Sequence, residues 1–216
     1  MDLEVLQQLF MHLTSISSDS KLKPVVIRSA GTDFSVGYDC SCHLVKDNEF
    51  LLSVLSFGLG ILQIARNYDA PVVAFCHGYT LGAGLELAVL CDYSVGSEGS
   101  IYGFPDAIFG FPSMLIPPEG LSNFLERKTI KEISTGELFS IENAIKIGLM
   151  DKIGSLEDAE NLAIRMNNTL FTKFKSSRFV SNEVIKSYVH YIGTMDTRKI
   201  RLKDLEQFRK DLSGTL

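Results

Sequence analysis

Apolar side chains at Leu3, Val5, Leu6, Leu9, Phe10, Leu13 and Ile16 recur at helical spacing and predict an amphipathic helix over Asp2–Ile16. Pro24–Ile27 is a short β-branched run and reads as a buried strand; residues 29–39, with two glycines, read as a loop. Residues 43–67 read as a long helix and Pro71–Cys76 as a second buried strand. The glycines Gly78, Gly82 and Gly84 then predict a turn. An apolar helix over Ala83–Cys91 and a third strand over Asp92–Gly96 follow. This α-β-α-β-α-β order implies parallel strands joined by helical crossovers, an α/β fold.

Residues 100–118 are rich in glycine, proline and aromatics and read as irregular. Beyond them the pattern is mostly helical. A short helix is expected over 121–127, and another over 141–147, capped by Ser140 and ended by Gly148. Ser155-Leu-Glu-Asp158 reads as a capping box that opens a helix to about Leu170, and further helices are expected over 177–192 and 196–212. A boundary near 154 divides a core over 1–154 from a helical region over 155–216.

With 216 residues the chain is long enough for one domain with a full core. The net charge of −5 is unevenly spread. Residues 171–216 hold ten Lys and Arg against five Asp and Glu, a net of +5, and residues 1–170 hold 11 against 21, a net of −10. The basic end suits phosphates, an acidic partner surface or plain solvent. It has no basic run interleaved with aromatics, so nucleic-acid binding is not expected.

Cys40, Cys42, Cys76 and Cys91 follow no signal peptide and read as reduced thiols of a cytoplasmic protein. Cys40 and Cys42 are too close and too few for a zinc site, and no metal is expected. Residues 50–65 are uncharged but short of a bilayer span and are interrupted by Gly58 and Gly60, while His77 and Glu86 break residues 71–91. No membrane segment is therefore expected.

Three segments carry candidate chemistry. Gly78-Tyr-Thr-Leu-Gly82 resembles a nucleophile elbow with Thr80 in the serine position. The adjacent His77 is badly placed for a triad, so a threonine nucleophile is disfavoured. The turn also lacks a phosphate-loop signature. The carboxylates Glu86 and Asp106 lie in apolar surroundings, where two acids can divide acid and base roles; a helix-start charge and a turn carboxylate are the plainer alternatives. The loop Gly31–Asp39 follows the first strand as the Gly78–Gly84 turn follows the second. Loops at the carboxyl ends of parallel strands gather on one side, so these two can aim backbone N–H groups at one oxygen, or remain ordinary turns.

These segments together resemble the crotonase, or enoyl-CoA hydratase/isomerase, superfamily. The resemblance runs from about Lys23 to Ile153. Its most specific stretch is Ala70-Pro-Val-Val-Ala74 with Gly78-Tyr-Thr-Leu-Gly-Ala-Gly-Leu-Glu-Leu-Ala88, continued by Cys91-Asp92 and Tyr102-Gly-Phe-Pro-Asp106. Phe34-Ser-Val-Gly-Tyr-Asp39 and Thr135-Gly-Glu-Leu-Phe-Ser140 add to it.

The resemblance implies a ββα spiral core with a C-terminal helical trimerisation region, and a homotrimer or dimer of trimers. It implies acyl-CoA thioester substrates, with coenzyme A as part of the substrate and no separate cofactor. The backbone amides of Tyr38 and Ala83 match the oxyanion hole, and Glu86 and Asp106 match the two acid/base glutamates. Val36, Gly37, Asp39, Gly82, Gly84 and Pro105 match substrate-binding positions.

The implied reaction is hydration of a 2-enoyl-CoA. The alternatives are double-bond isomerisation, thioester hydrolysis and a catalytically silent CoA-binding subunit. The chain departs from the pattern in three ways. An aspartate stands at 106 in place of glutamate, the family's opening strands do not precede the first helix, and Phe111–Pro118 replaces a glycine-rich stretch.

Overall fold

Val72–Cys76 is apolar on both sides, and it becomes the centre of the larger sheet. In the computed structural model, which describes residues 1–19, 21–39, 48–110, 115, 125–168 and 201–213, four strands are parallel neighbours. They are β1 (Val25–Ile27), β2 (Val72–Cys76), β4 (Tyr93–Gly96) and β7 (Lys152–Ile153), in the order β1-β2-β4-β7. A second sheet holds β3 (Tyr79–Leu81), β5 (Ile101–Gly103) and β6 (Leu138–Ser140) in that order, β3 parallel to β5 and β5 antiparallel to β6.

The two sheets are wound together. Ser35 forms an isolated parallel bridge to Thr80, so the first loop extends the second sheet beside β3. Each turn of chain thus supplies one segment to each sheet in the same order: β1 with Ser35, β2 with β3, β4 with β5. That repeated step is a spiral of short strands.

Helices seal the spiral. α1 (Leu3–Ser17) packs against α2 (Asn48–Asn67), burying Leu6 and Leu13 beside Val54, Ile61 and Leu62. α3 (Ala83–Leu90) leads from β3 back to β4. Val72, Ala74 and Cys76 of β2 face the main core, whereas Val73 joins Val95 under α6 (Leu156–Asn167) through Ala159 and Ala163. A strand covered on both faces needs such an unbroken apolar run. α4 (Arg127–Ile133), α5 (Ile141–Lys146) and α7 (Leu202–Ser213) complete the described helices. No described helix is long and apolar enough to cross a membrane.

Several expectations are corrected. The segment 78–82 is a corner at Gly78 followed by strand β3, because Tyr79 and Leu81 exchange backbone hydrogen bonds with Ser35. Residues 101–103 form β5 within a stretch read as irregular, and β6 and β7 interrupt the region read as helical. These strands have two to three residues, too short for an alternating pattern to register. Residues 121–124 of the helix expected over 121–127 lie outside the described residues, Leu125 and Glu126 are not helical, and α4 begins at Arg127. The helix expected over 177–192 and both Cys40 and Cys42 lie outside the described residues, and α7 occupies most of the helix expected over 196–212.

The capping box at Ser155 is present. The Asp158 amide donates to Ser155 Oγ at 3.1 Å, and the Ser155 amide and hydroxyl donate to Asp158 Oδ2 at 2.8 and 2.9 Å. Those two donors hold the Asp158 carboxyl below the usual carboxylate range. A depressed folded-state pKa stabilises above the unfolded value, about 3.9, and that contribution disappears as pH falls through the folded value. Asp158→Asn is therefore expected to lower Tm at pH 7, with the gap to wild type closing on acidification. Thermal melts between pH 7 and pH 2 check this; a gap unchanged by pH contradicts it.

Candidate active site

Gly82 sits at φ +50° and ψ −124° and N-caps α3 without any side-chain hydrogen bond. The first intrahelical bond of α3 runs from the Glu86 amide to the Gly82 carbonyl, 3.0 Å. The amides of Ala83, Gly84 and Leu85 precede it and point out of the helix start, where a backbone leaves donors for an anion. The matched oxyanion donor, Ala83, is the first of these.

Two groups crowd this turn. A Cβ on Gly82 would lie 1.8 Å from Asp106 Oδ2, and a Cβ on Gly84 would lie 2.4 Å from Ser35 Cβ. Both glycines are therefore contact surfaces. Asp106 is 7% exposed on a 3-10 helix, Pro105–Phe109, that Pro105 opens. Glu86 is 2% exposed in the first turn of α3, and the Leu115 amide donates to its Oε2 at 2.5 Å.

The first loop is fastened to the same turn. The Ser35 amide donates to the Tyr79 carbonyl at 3.0 Å, and the Ser35 carbonyl accepts the Leu81 amide at 2.8 Å. Ser35 Oγ accepts the Gly37 amide at 3.2 Å, and Gly37 adopts φ +97°. Tyr38, fully buried, follows immediately, and the Asp39 amide donates to the Met1 carbonyl at 2.7 Å. The structure thus brings the loop before Tyr38 into contact with the turn that carries Ala83.

A cavity of about 480 Å³ lies alongside. α1 contributes Val5 and Leu9, the first loop contributes residues 31–36, and α3 contributes Gly84 and Leu87. Val36 and Gly84 line it; Glu86, Asp106, Tyr38, Ala83 and Pro105 are buried and are absent from its lining.

Sequence reasoning missed three contributors. His77 Nε2 lies 2.8 Å from the Gly31 carbonyl, which only accepts, so Nε2 carries the proton; the His77 carbonyl accepts the Phe34 amide at 2.8 Å. Asp33 Oδ1 accepts the Tyr79 amide at 2.8 Å. Together they hold the first part of the loop, Gly31 to Phe34, against the corner at Gly78. Leu115 is the third, and no local pattern announces a backbone contact 29 residues from its partner. Thr80 is fully buried within β3, beside the Cys76 thiol that burial pushes up, so it stands on no exposed elbow. No cluster of metal-ligating side chains occurs among the described residues.

The comparisons agree with this architecture. The family model described as Enoyl-CoA hydratase/isomerase matches residues 1–210. The chain is 27% identical over 172 residues to a probable enoyl-CoA hydratase of Bacillus subtilis (strain 168), covering 79% of this chain and 66% of that protein. It is 27% identical over 168 residues to the mitochondrial enoyl-CoA hydratase domain-containing protein 3 of Rattus norvegicus, covering 77% and 56%. Among solved structures, an enoyl-CoA hydratase/isomerase from Mycobacterium paratuberculosis superposes with TM-score 0.73 at 20% identity, over 99% of this chain and 88% of that one.

The α/β spiral is therefore the crotonase-like fold, and the chain belongs to the enoyl-CoA hydratase/isomerase family. It spans 66% and 56% of the length of those two curated relatives.

The contact at Gly82 yields a prediction. Gly82→Ala combines a forbidden contact with a backbone that disfavours a side chain, so it is expected to cost about 1–3 kcal/mol. Gly31→Ala meets only Ser29 Oγ at 3.6 Å and serves as control. Urea denaturation of both compares them; equal midpoints contradict the packing of Asp106 on Gly82.

Proposed function

We propose that this protein hydrates a 2-enoyl-CoA thioester. The observation that carries the reading is the convergence of two buried carboxylates, Glu86 and Asp106, on the turn that opens α3. Two buried acids beside the amides that open a buried helix fit chemistry at a carbonyl and its neighbouring carbons better than they fit a structural turn.

In this reading the amides of Tyr38 and Ala83 donate to the thioester oxygen. That oxygen gains negative charge as water adds at the β-carbon. A fixed donor of this kind is worth about 3–4 kcal/mol in comparable sites. Glu86, ionised and steadied by the Leu115 amide, takes a proton from the attacking water. Asp106, entering as the neutral acid, delivers its proton to the α-carbon as the enolate collapses to the 3-hydroxyacyl thioester, and the proton taken by Glu86 passes back to Asp106 through solvent to reset the pair.

Asp106 is one carbon–carbon bond, about 1.5 Å, shorter than a glutamate. Its direct packing on Gly82 supports a backbone that sits closer to the turn and restores the reach. Val36, Gly37, Asp39, Gly82, Gly84 and Pro105 are the positions assigned to substrate contact in this reading, and of these Val36 and Gly84 line the cavity. Coenzyme A arrives as part of the substrate, and the chemistry calls for no other cofactor or metal.

A second reading has its own support. The Leu115 amide occupies one oxygen of Glu86, which favours a reaction in which Asp106 alone moves a proton between carbons, isomerising the double bond. Assembly as a homotrimer or dimer of trimers through the C-terminal region, in the cytoplasm, completes the proposal.

Incubation with crotonyl-CoA and with a 3-enoyl-CoA, followed by mass spectrometry, separates the readings. Gain of one water supports hydration, and an isomer of unchanged mass supports the second reading. Free CoA thiol, or no turnover with binding retained, contradicts both. Glu86→Gln and Asp106→Asn are each expected to lower kcat by about 10²–10⁴-fold for hydration. Isomerisation predicts that loss for Asp106→Asn, with a smaller one for Glu86→Gln.

A further inference from the structure

The 3-10 helix that presents Asp106 is short, and such helices hold themselves poorly. The Phe104 carbonyl accepts the Ala107 amide, and the Asp106 and Ala107 carbonyls accept the Gly110 amide. The next two carbonyls, of Ile108 and Phe109, have no donor within the helix. Both are taken by one residue from the far end of the chain. The Arg201 amide donates to the Phe109 carbonyl at 2.8 Å, and the Arg201 guanidinium donates to the Ile108 carbonyl.

The same guanidinium lies over the Phe109 ring, 5.4 Å from its centroid. Phe208 of α7 packs on Phe109 from 5.7 Å, so the ring meets both the cation and a second aromatic. Asp204, one turn into α7, lies 3.7 Å from the other terminal nitrogen of Arg201. A cation at the carboxyl end of a helix meets the carbonyls that carry its negative end, so the arrangement is complementary in charge as well as in donors. A guanidinium committed to a carbonyl, an aromatic face and a carboxylate is poorly placed to receive a phosphate of coenzyme A.

We propose that Arg201 is a positioning residue: it closes the end of the Pro105–Phe109 helix and so fixes the carboxylate of Asp106 against Gly82. The inference rests on the acid/base role proposed for Asp106. Phe208 assists by holding the Phe109 ring. The basic C-terminal region thereby acquires a catalytic consequence without touching substrate.

The test uses Arg201→Met, which keeps the length of the side chain and removes its donors and charge, with Arg201→Lys as the conservative variant, in the whole chain. Arg201 is more than half exposed, so folding is expected to survive, and Tm verifies that. Amide hydrogen exchange read by mass spectrometry is expected to quicken about 10-fold in peptides holding the Ala107 and Gly110 amides and to stay unchanged in β2. With crotonyl-CoA, kcat is expected to fall about 10-fold at constant KM, with partial recovery in Arg201→Lys. In an Asp106→Asn background Arg201→Met is expected to add no further loss, because the two act as one unit.

Wild-type exchange at Ala107 and Gly110 overturns the clamp whatever the reaction proves to be. A full additional loss in the Asp106→Asn background, or a rise in KM with kcat unchanged, overturns the positioning role in favour of a general structural or phosphate contact. Quickened exchange combined with full turnover in Asp106→Asn overturns the acid/base role of Asp106, and the positioning role with it, while leaving the contact itself intact.

Discussion

The absence of two side chains organises this protein. At Gly82 the Asp106 carboxylate occupies the space a Cβ would need, and at Gly84 the first loop does the same through Ser35. These close approaches bring two distant stretches of chain onto the opening turn of one short helix. They are possible because the spiral delivers each stretch at the same height: Ser35 pairs with Thr80 in β3, and Thr80 pairs with Tyr102 in β5, which runs into the 3-10 helix. A side chain at Gly82 would push the carboxylate away from the start of α3.

The electrostatic logic follows from that packing. Two carboxylates buried within one small region are costly unless each is given donors or a task. Glu86 has the Leu115 amide, and Asp106 lies against the start of α3, where the helix presents N–H groups and the positive end of its dipole. Burial keeps both groups in a poorly screened environment in which a positioned proton carrier is effective. The long α2 and α1 pack behind this arrangement, and α6 closes the opposite face of the larger sheet, so the site stands on rigid elements rather than on free loops.

Much of this was legible in the chain. The apolar runs at Val25–Ile27 and Val72–Cys76 and the apolar helix after Gly82 betrayed parallel strands with helical returns, and Glu86 stood out as a charge in an apolar helix. The carboxylate pair was visible as residue types. Their meeting was expected only through the family resemblance. The second sheet was hidden because β3 and β5 have three residues each, and their partners are set by tertiary winding rather than by any local period. The roles of Leu115, His77 and Arg201 were hidden for a related reason. Each acts on a backbone carbonyl or through a backbone amide, and a sequence does not record which distant peptide group its side chains will meet.

The central claim is that the amides of Tyr38 and Ala83 together grip a thioester oxygen. The most direct measurement is the Raman difference spectrum of crotonyl-CoA bound to the slowed Glu86→Gln variant. Two fixed donors polarise the carbonyl, so its stretching frequency is expected to fall well below that of the same thioester in water. A frequency equal to that in water, with binding demonstrated in the same sample, contradicts the account.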